Sequence, residues 1–157
     1  MKKFLIASDH AGYEFKEAIK AKAAALLMGL GYEFEDLGTN SLLSVDYPDY
    51  AIALHQKMSA AQKQKNSPEN AEPIGLLICG SGVGISIMAN RFSEIRAVLA
   101  ESPTVARLAR EHNHANVLCL GARIVSVDNA VQILKSFLEG KPDTSERHVK
   151  RIQKLYV

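Results

Sequence analysis

A glycine-rich loop is the segment of this sequence best suited to bind an anion. Gly80, Gly82 and Gly84 alternate with Ser81 and Val83, directly after a continuous apolar run. Such a loop lets successive backbone amides converge on one anionic group at the start of a helix. The same glycines also suit a tight strand-to-helix turn that serves close packing alone. The lysine of a P-loop is missing, and the glycine spacing differs from that of the dinucleotide-binding fingerprint.

A thiol and a hydroxyl lie beside this loop. Cys79 ends the apolar run, and amide dipoles at a helix N-terminus favour the reactive thiolate form of a cysteine. A cysteine at the end of a buried strand also suits an inert core position, which is our expectation for Cys119 inside a later apolar run. Ser81 lies within reach of the same centre, or it serves as a cap or turn residue.

Histidines at two places are candidates for acid–base chemistry. Asp9 and His10 follow the first apolar run, where either can transfer a proton or His10 can contact an anion, although Asp9 also suits a helix cap. His112, Asn113 and His114 end a predicted helix, whose dipole favours a cationic imidazole. We expect no metal site, because the two histidines lack helical ligand spacing and a nearby acidic or thiol partner.

Two arginines near the C-terminus form a candidate phosphate clamp. Arg147 and Arg151 are four positions apart, so they share one face of a helix and suit a bidentate grip on a phosphate. Val149, Ile152 and Tyr156 mark the opposite face. The simplest interpretation is therefore that both arginines point to solvent. The functional interpretation requires that a crevice in the same subunit or a neighbouring one lie against them.

Alternating strand and helix patterns position these residues. Strands are predicted at residues 3–8, 32–37, 74–79, 96–100 and 117–120, and helices at 12–30, 47–65, 83–91, 103–112, 127–138 and 144–156, with an exposed loop at 66–73. The pattern predicts an α/β fold, a three-layer Rossmann-like sandwich with a five-stranded parallel sheet and an extra C-terminal helix. Because ligands bind beyond the carboxyl ends of such strands, residues that follow strands should meet there, with Arg123 after the fifth strand among them.

Length and composition favour a single domain over residues 1–157. The chain is 47% hydrophobic and 23% charged, with 19 Lys+Arg against 17 Asp+Glu, which is typical of a globular protein. The small net charge predicts no nucleic-acid partner. No apolar segment approaches the roughly 18 residues of a membrane span, so no membrane contact is expected either. Two distant cysteines favour a reducing, cytoplasmic location.

Taken together, the motifs resemble those of the ribose-5-phosphate isomerase B family, which includes the galactose-6-phosphate isomerase subunits. The matching stretches are residues 7–12, 46–50, 79–86, 89–90, 112–113, 116–118, 121–123, 146–148 and 150–152. The resemblance implies an aldose–ketose isomerase of the non-oxidative pentose phosphate pathway, which interconverts ribose 5-phosphate and ribulose 5-phosphate through an enediolate. It implies no metal and no organic cofactor. Allose 6-phosphate and galactose 6-phosphate stay open as six-carbon alternatives.

The resemblance also implies a role for each candidate. Cys79 matches the base that moves a proton between the first two carbons, and Ser81 matches the hydroxyl that assists proton movement between the two oxygens. His112 matches the residue that opens the furanose ring. The other matches are Asp9 and Asn113 near the sugar hydroxyls, Gly80, Gly82, Val83 and Gly84 at the enediolate oxygen, Tyr47 in the pocket wall, and His10, Arg123, Arg147 and Arg151 at the phosphate. Family members are dimers or tetramers with shared sites, which implies a homodimer or homotetramer here.

The chain departs from the family pattern in a few places, and two other functions would account for part of its motifs. Ile85 stands where some relatives carry a carboxylate base, which assigns the chain to the cysteine subgroup. Residues 60–73 and 23–31 are longer than the family pattern and are predicted surface insertions. A nucleotide- or flavin-binding module would account for the loop and for Glu101 at a strand end, but it leaves Cys79 and His112 unexplained. A non-catalytic sugar-phosphate sensor would show ligand-induced thermal stabilisation without turnover.

Overall fold

The protein is an α/β sandwich, as the sequence predicts. The computed structural model describes residues 2–63 and 72–155. Its elements in chain order are β1 (Lys2–Ser8), α1 (Tyr13–Gly29), β2 (Tyr32–Asp36), α2 (Tyr47–Lys63), β3 (Ile74–Cys79), α3 (Val83–Ala89), β4 (Ala97–Leu99), α4 (Pro103–Asn113), β5 (Val117–Gly121), α5 (Val127–Glu139) and α6 (Glu146–Gln153). A 3-10 turn at His10–Gly12 precedes α1. Most of the predicted loop at 66–73 and Tyr156 lie outside the described residues.

The strand order creates a crevice at the centre of the sheet. All five strands are parallel, in the order β2-β1-β3-β5-β4. The chain leaves β1 toward β2 and then returns to β3 on the other side of β1, so the direction of winding reverses between β1 and β3. Ligand crevices form at such switch points, beyond the carboxyl ends of the strands. Asp9 and Cys79 therefore both lie at the switch point.

Each face of the sheet carries its own hydrophobic core. Helices α1, α4 and α5 cover one face, while α2 and α3 cover the other. Successive side chains of a strand point to opposite faces, so Leu76 and Ile78 join the first core, whereas Leu77 and Cys79 join the second. This explains why the run at β3 is apolar throughout and why Cys79 faces α3. Among the helices of the described ranges, none has the length and hydropathy of a membrane span.

A buried ion pair fastens α1 to the end of β2. The Lys16 side chain is fully buried, and its Nζ donates to both Asp36 oxygens at 2.6 and 2.8 Å. The Gly38 amide donates to the same carboxylate at 2.9 Å, while the Gly38 carbonyl accepts from the Ser8 amide at 2.7 Å. The network thereby fixes the backbone that leads from β1 into Asp9.

Candidate active site

A cavity of about 350 Å³ opens at the carboxyl ends of β1 and β3. Its lining consists of Asp9, His10, Ala11, Tyr47, Cys79, Gly80, Ser81, Gly84, Arg123 and Ile124. All of these except Ala11 and Ile124 are candidates from the sequence. The geometry of a parallel sheet thus gathers residues from four separate stretches of chain into one cavity.

The glycine loop folds back onto the thiol of Cys79. The Gly82 amide donates a hydrogen bond to Sγ at 3.1 Å. Gly82 has a φ of +77°, in the left-handed region that favours glycine. A Cβ at Gly82 would lie only 2.6 Å from Cδ1 of Leu99 and 2.8 Å from the backbone carbon of Leu120. A side chain at this position would therefore disrupt the turn that places the amide on the sulfur.

Ser81 has both properties that its sequence position suggested. Its Oγ accepts a hydrogen bond from the Val83 amide at 3.3 Å, which is a turn-forming contact. It is also exposed and lines the cavity. Because a hydroxyl donates as well as accepts, the proton of this group is free to serve a ligand in the cavity.

Asp9 and His10 each use one polar atom for structure and leave another for a ligand. Oδ1 of Asp9 accepts from the Gly12 amide at 3.0 Å and caps the turn before α1, so the capping interpretation holds for this oxygen. Nδ1 of His10 lies 3.2 Å from both the amide nitrogen and the carbonyl oxygen of Val45. The second carboxylate oxygen and Nε2 of the imidazole take part in none of these contacts. Val45 carries no sequence signal, because it acts through its backbone.

Two glycines of the loop make room for larger side chains. The guanidinium of Arg123 lies over Gly80, where a Cβ would come within 3.2 Å of Nη1. The Arg123 amide also donates to the Gly80 carbonyl at 3.0 Å. The ring of Tyr47 lies against Gly84, where a Cβ would come within 2.7 Å of Cζ. The missing side chain of Gly80 therefore allows a cationic group to lie against the loop, and that of Gly84 allows an aromatic ring to do so at another part of the same cavity.

Six candidates are not among the residues that line this cavity. Two of them, Gly82 and Val83, belong to the glycine loop beside it, and the other four lie elsewhere. His112 and Asn113 end α4, and Asn113 lines a different cavity of about 390 Å³. Arg147 and Arg151 are exposed on α6. A helix that connects two parallel strands runs opposite to them, so the C-terminal end of α4 lies at the amino edge of the sheet. One chain therefore holds its candidate residues in two separate groups.

The buried face of α6 differs from the sequence expectation. His148 and Ile152 are its buried residues, whereas Val149 is only half-buried. The expected apolar face is therefore rotated toward His148, a residue that the site predictions missed. Its ring stacks on that of His112, with centroids 4.5 Å apart and planes within 7°. Burial, followed by the charge of His112, lowers the pKa of His148.

Two further residues considered from the sequence lie outside the cavity. Cys119 is fully buried in β5, as expected, and burial followed by the nearby Cys79 raises its pKa. It therefore stays a protonated thiol at neutral pH. Glu101 is exposed and does not line the cavity, so the resemblance to a ribose-binding acid has no counterpart beside the glycine loop.

The fold and the cavity define an α/β enzyme with a thiol and a glycine-rich loop at a topological switch point. Residues 4–155 match the family described as Ribose/Galactose Isomerase. The chain belongs to this family and is an isomerase, which confirms the resemblance seen in its motifs.

Relatives and solved structures agree across nearly the full length. Ribose-5-phosphate isomerase B of Escherichia coli is 38% identical over 153 residues, covering 98% of this chain and 93% of the relative. A ribose 5-phosphate isomerase from Thermotoga maritima is 43% identical with a TM-score of 0.84, covering 98% of this chain and 97% of that one. The Mycoplasma genitalium ribose-5-phosphate isomerase B, solved with bound ribulose-5-phosphate, is 33% identical with a TM-score of 0.83, covering 99% and 94%.

Proposed function

We propose that this isomerase interconverts ribose 5-phosphate and ribulose 5-phosphate through an enediolate, with Cys79 as the base. The observation that carries the proposal is the placement of the Cys79 sulfur. It faces a cavity lined by Asp9, His10 and Arg123, and it accepts a hydrogen bond from the Gly82 amide at 3.1 Å. The relatives named as ribose-5-phosphate isomerases support the same substrate.

In the proposed reaction, the Cys79 thiolate takes the proton from C2 of the open-chain aldose. The electron pair of that bond forms the enediolate, and the carbonyl oxygen at C1 gains negative charge. Amides of the glycine loop would stabilise this charge, an effect worth roughly 2.7–4 kcal/mol per donor. Ser81 assists transfer of the hydroxyl proton from O2 to O1, and the Cys79 thiol returns its proton to C1, which gives the ketose.

The other residues of the cavity fit the two ends of a sugar phosphate. His10 and Arg123 would contact the phosphate, because both present a hydrogen-bond donor to an anion. The free oxygen of Asp9 would accept a hydrogen bond from a sugar hydroxyl. Tyr47 forms the wall that limits the cavity above Gly84. Ile85 is fully buried in the core, which supports Cys79 rather than position 85 as the base.

We further propose that a second copy of the chain completes the site, in a homodimer or homotetramer. His112, Asn113, Arg147 and Arg151 would then come from the neighbouring copy, with His112 opening the furanose ring and the arginines binding the phosphate. Exposed apolar side chains around the Cys79 cavity support an interface between copies at that place. We call them the apolar rim, and they are Tyr47, Val83, Ile87 and Ile124.

The cytoplasm is the location that we propose for this enzyme. Cys79 and Cys119 are both free thiols, and the reaction needs Cys79 in its reduced form. Reducing compartments keep thiols in that form.

The decisive assay measures conversion of ribose 5-phosphate by the purified protein in excess chelator, with Cys79→Ala beside it. Loss of a general base lowers turnover by about 10²–10⁴-fold, so we expect kcat to fall by that much. Cys119→Ala is the matched control, because it removes the other buried thiol away from the cavity. Turnover by Cys79→Ala at the wild-type rate would remove Cys79 from the mechanism. Allose 6-phosphate and galactose 6-phosphate, run as competing substrates, test the six-carbon alternative.

A complementation experiment tests the shared site. Cys79→Ala and the double variant Arg147→Ala/Arg151→Ala are each expected to be impaired, the second mainly through a higher KM. A mixed dimer would contain one intact site, with Cys79 from one chain and both arginines from the other. Activity should therefore reappear when the variants are unfolded and refolded together. No recovery in verified mixed dimers would contradict sharing of the site between copies.

A further inference from the structure

The function proposed so far gives no role to the buried histidine of α6, His148. His148 is only 6% exposed, and its ring lies parallel to the ring of His112 at 4.5 Å. Its Nε2 is buried and makes no hydrogen bond within the described part of the chain, although Oδ2 of Asp143 lies 3.5 Å away. A buried polar atom in this state is costly, so the residue calls for a reason beyond simple packing.

The backbone before α6 fixes the position of this ring. The Asp143 amide donates to the Glu111 carbonyl at 2.8 Å, and the Asp143 carbonyl lies 2.8 Å from Nε2 of His114. These two contacts attach the segment on both sides of His112. The Ser145 amide also donates to the Asp143 carboxylate at 2.8 Å. The stack is therefore built by several contacts rather than by one adaptable side chain.

Burial, together with the surrounding cationic groups, favours the neutral form of the His148 ring. The groups that act on it are His112, Arg147, Arg151 and the Asp143 carboxylate, whose Oδ2 lies 3.5 Å from Nε2. Burial, His112 and the two arginines lower the pKa of His148, and only Asp143 opposes them. At neutral pH the ring is thus a flat, uncharged surface against one face of His112.

A histidine ring needs such a surface to hold its orientation. Rotation about the bond between Cβ and the ring has broad and weak intrinsic preferences, so a half-buried imidazole turns unless a neighbour stops it. Rotation of His112 about this bond would break a stack whose planes lie within 7°. We propose that His148 is a positioning residue, which holds the imidazole of His112 in the plane that ring opening requires. This inference rests on the proposed role of His112.

The test compares ring-dependent and ring-independent chemistry in three variants. His148→Ala removes the stack, and His148→Phe keeps it without a ring nitrogen. His55→Ala is the matched control, because it removes a histidine that stacks on Phe92 at 3.9 Å, away from the cavity. Isomerisation of ribose 5-phosphate starts from a closed ring. Ribulose 5-phosphate is open-chain, so deuterium uptake at its C1 in D₂O reports proton abstraction without ring opening.

Misplacement of a reacting group by about 1 Å costs up to about 100-fold in rate. We therefore expect His148→Ala to lower kcat/KM for ribose 5-phosphate by about tenfold or more, with deuterium uptake unchanged. His148→Phe and His55→Ala should retain wild-type values of both rates. Equal loss of both rates in His148→Ala would indicate a general structural role, and no loss would indicate no role. Loss in His148→Phe as large as in His148→Ala would assign the effect to the ring nitrogen. Each of these three results overturns the proposal.

A further variant separates this inference from the function on which it rests. If His112→Ala leaves isomerisation of ribose 5-phosphate at the wild-type rate, the proposed role of His112 fails, and the inference fails with it. If His112→Ala loses isomerisation while His148→Ala does not, only the positioning role of His148 is refuted.

Discussion

Alanine at position 84 would put a methyl group against the ring of Tyr47. A Cβ built on Gly84 lies 2.7 Å from Cζ of this ring and 3.0 Å from both Cε atoms. Favourable contacts between carbon atoms lie at about 3.5–4.0 Å, so the ring has to move by about 1 Å. The Tyr47 side chain is 39% exposed, so it moves more easily than the helix backbone.

The movement should cost little stability and much activity. Gly84 is the second residue of α3, and alanine is favoured over glycine in helices by roughly 0.5–1 kcal/mol. This gain offsets the displacement of a side chain that is already partly exposed, so the free energy of unfolding should change by less than about 1 kcal/mol. A shift of about 1 Å in a wall of the active site lowers kcat/KM by up to about 100-fold.

Steady-state kinetics with ribose 5-phosphate and thermal unfolding measure the two effects separately. Gly29→Ala is the matched control, since it is the same substitution in α1 and, apart from its chain neighbours and the backbone of its own helix, no atom lies within 4 Å of the new Cβ. It should leave kcat/KM unchanged. Tyr47→Leu removes the ring that Gly84→Ala displaces. Adding Gly84→Ala to the Tyr47→Leu variant should therefore lower kcat/KM little further. Such non-additivity is typical of residues in contact.

Three results would refute this reasoning. Wild-type kcat/KM in Gly84→Ala would show that the position of the Tyr47 ring does not matter for the reaction. An equal loss from Gly84→Ala with and without the ring would show that the methyl group acts on the substrate or on the backbone instead. A large fall in Tm would likewise assign the effect to α3 rather than to the ring.

Further predictions concern stability and assembly. Asp36→Asn should lower the free energy of unfolding by about 3 kcal/mol, at the lower end for a buried pair, because Glu17 at 3.5 Å is then the one carboxylate left beside Lys16 among the described residues. Burial alone would raise the pKa of Asp36, but hydrogen bonds, first from Lys16, outweigh it and lower this pKa. The stability that ionised Asp36 contributes to the folded protein is therefore complete above about pH 4 and is lost as the pH falls through the lowered pKa. Urea unfolding of the wild type and of Asp36→Asn should show a difference in the free energy of unfolding that becomes smaller below about pH 4. A difference that does not change with pH would contradict this prediction. Ile87→Glu should shift the assembly toward monomers in analytical ultracentrifugation and lower activity, while Met28→Glu, a control on α1 that is exposed to a similar extent, should not. Intact assembly in Ile87→Glu would exclude α3 from the interface.

Much of the fold could be predicted because local patterns report it directly. The six residues of β3 are all buried, and an uninterrupted apolar run is typical of a strand covered on both faces. The geometry of a parallel sheet then implies that residues after β1, β3 and β5 share one edge. Asp9, Cys79 and Arg123 were found in this way, without knowledge of any contact between them.

Contacts between distant elements left no such local pattern. Lys16 is fully buried against Asp36, yet a lysine in a helix predicts an exposed position unless its partner is known. Val45 holds His10 through its backbone, which no side-chain pattern reports. His148 is buried because His112 on another helix covers it. The apolar residues of α6 do not report this contact, so the sequence predicted a buried face centred on Val149 rather than on His148.

Helix direction explains why this chain separates its candidate residues into two groups. Cys79 ends β3, at the carboxyl edge of the sheet, while His112 lies in the last turn of α4, which runs back toward the amino edge. A strand of five or six residues spans about 17–20 Å, so these two side chains lie far apart in one chain. Arg147 and Arg151 stay with His112, because the stack with His148 holds α6 against α4. If all these residues act on one substrate, the amino edge of one copy must meet the carboxyl edge of another. A monomer with every candidate residue intact should then have little activity.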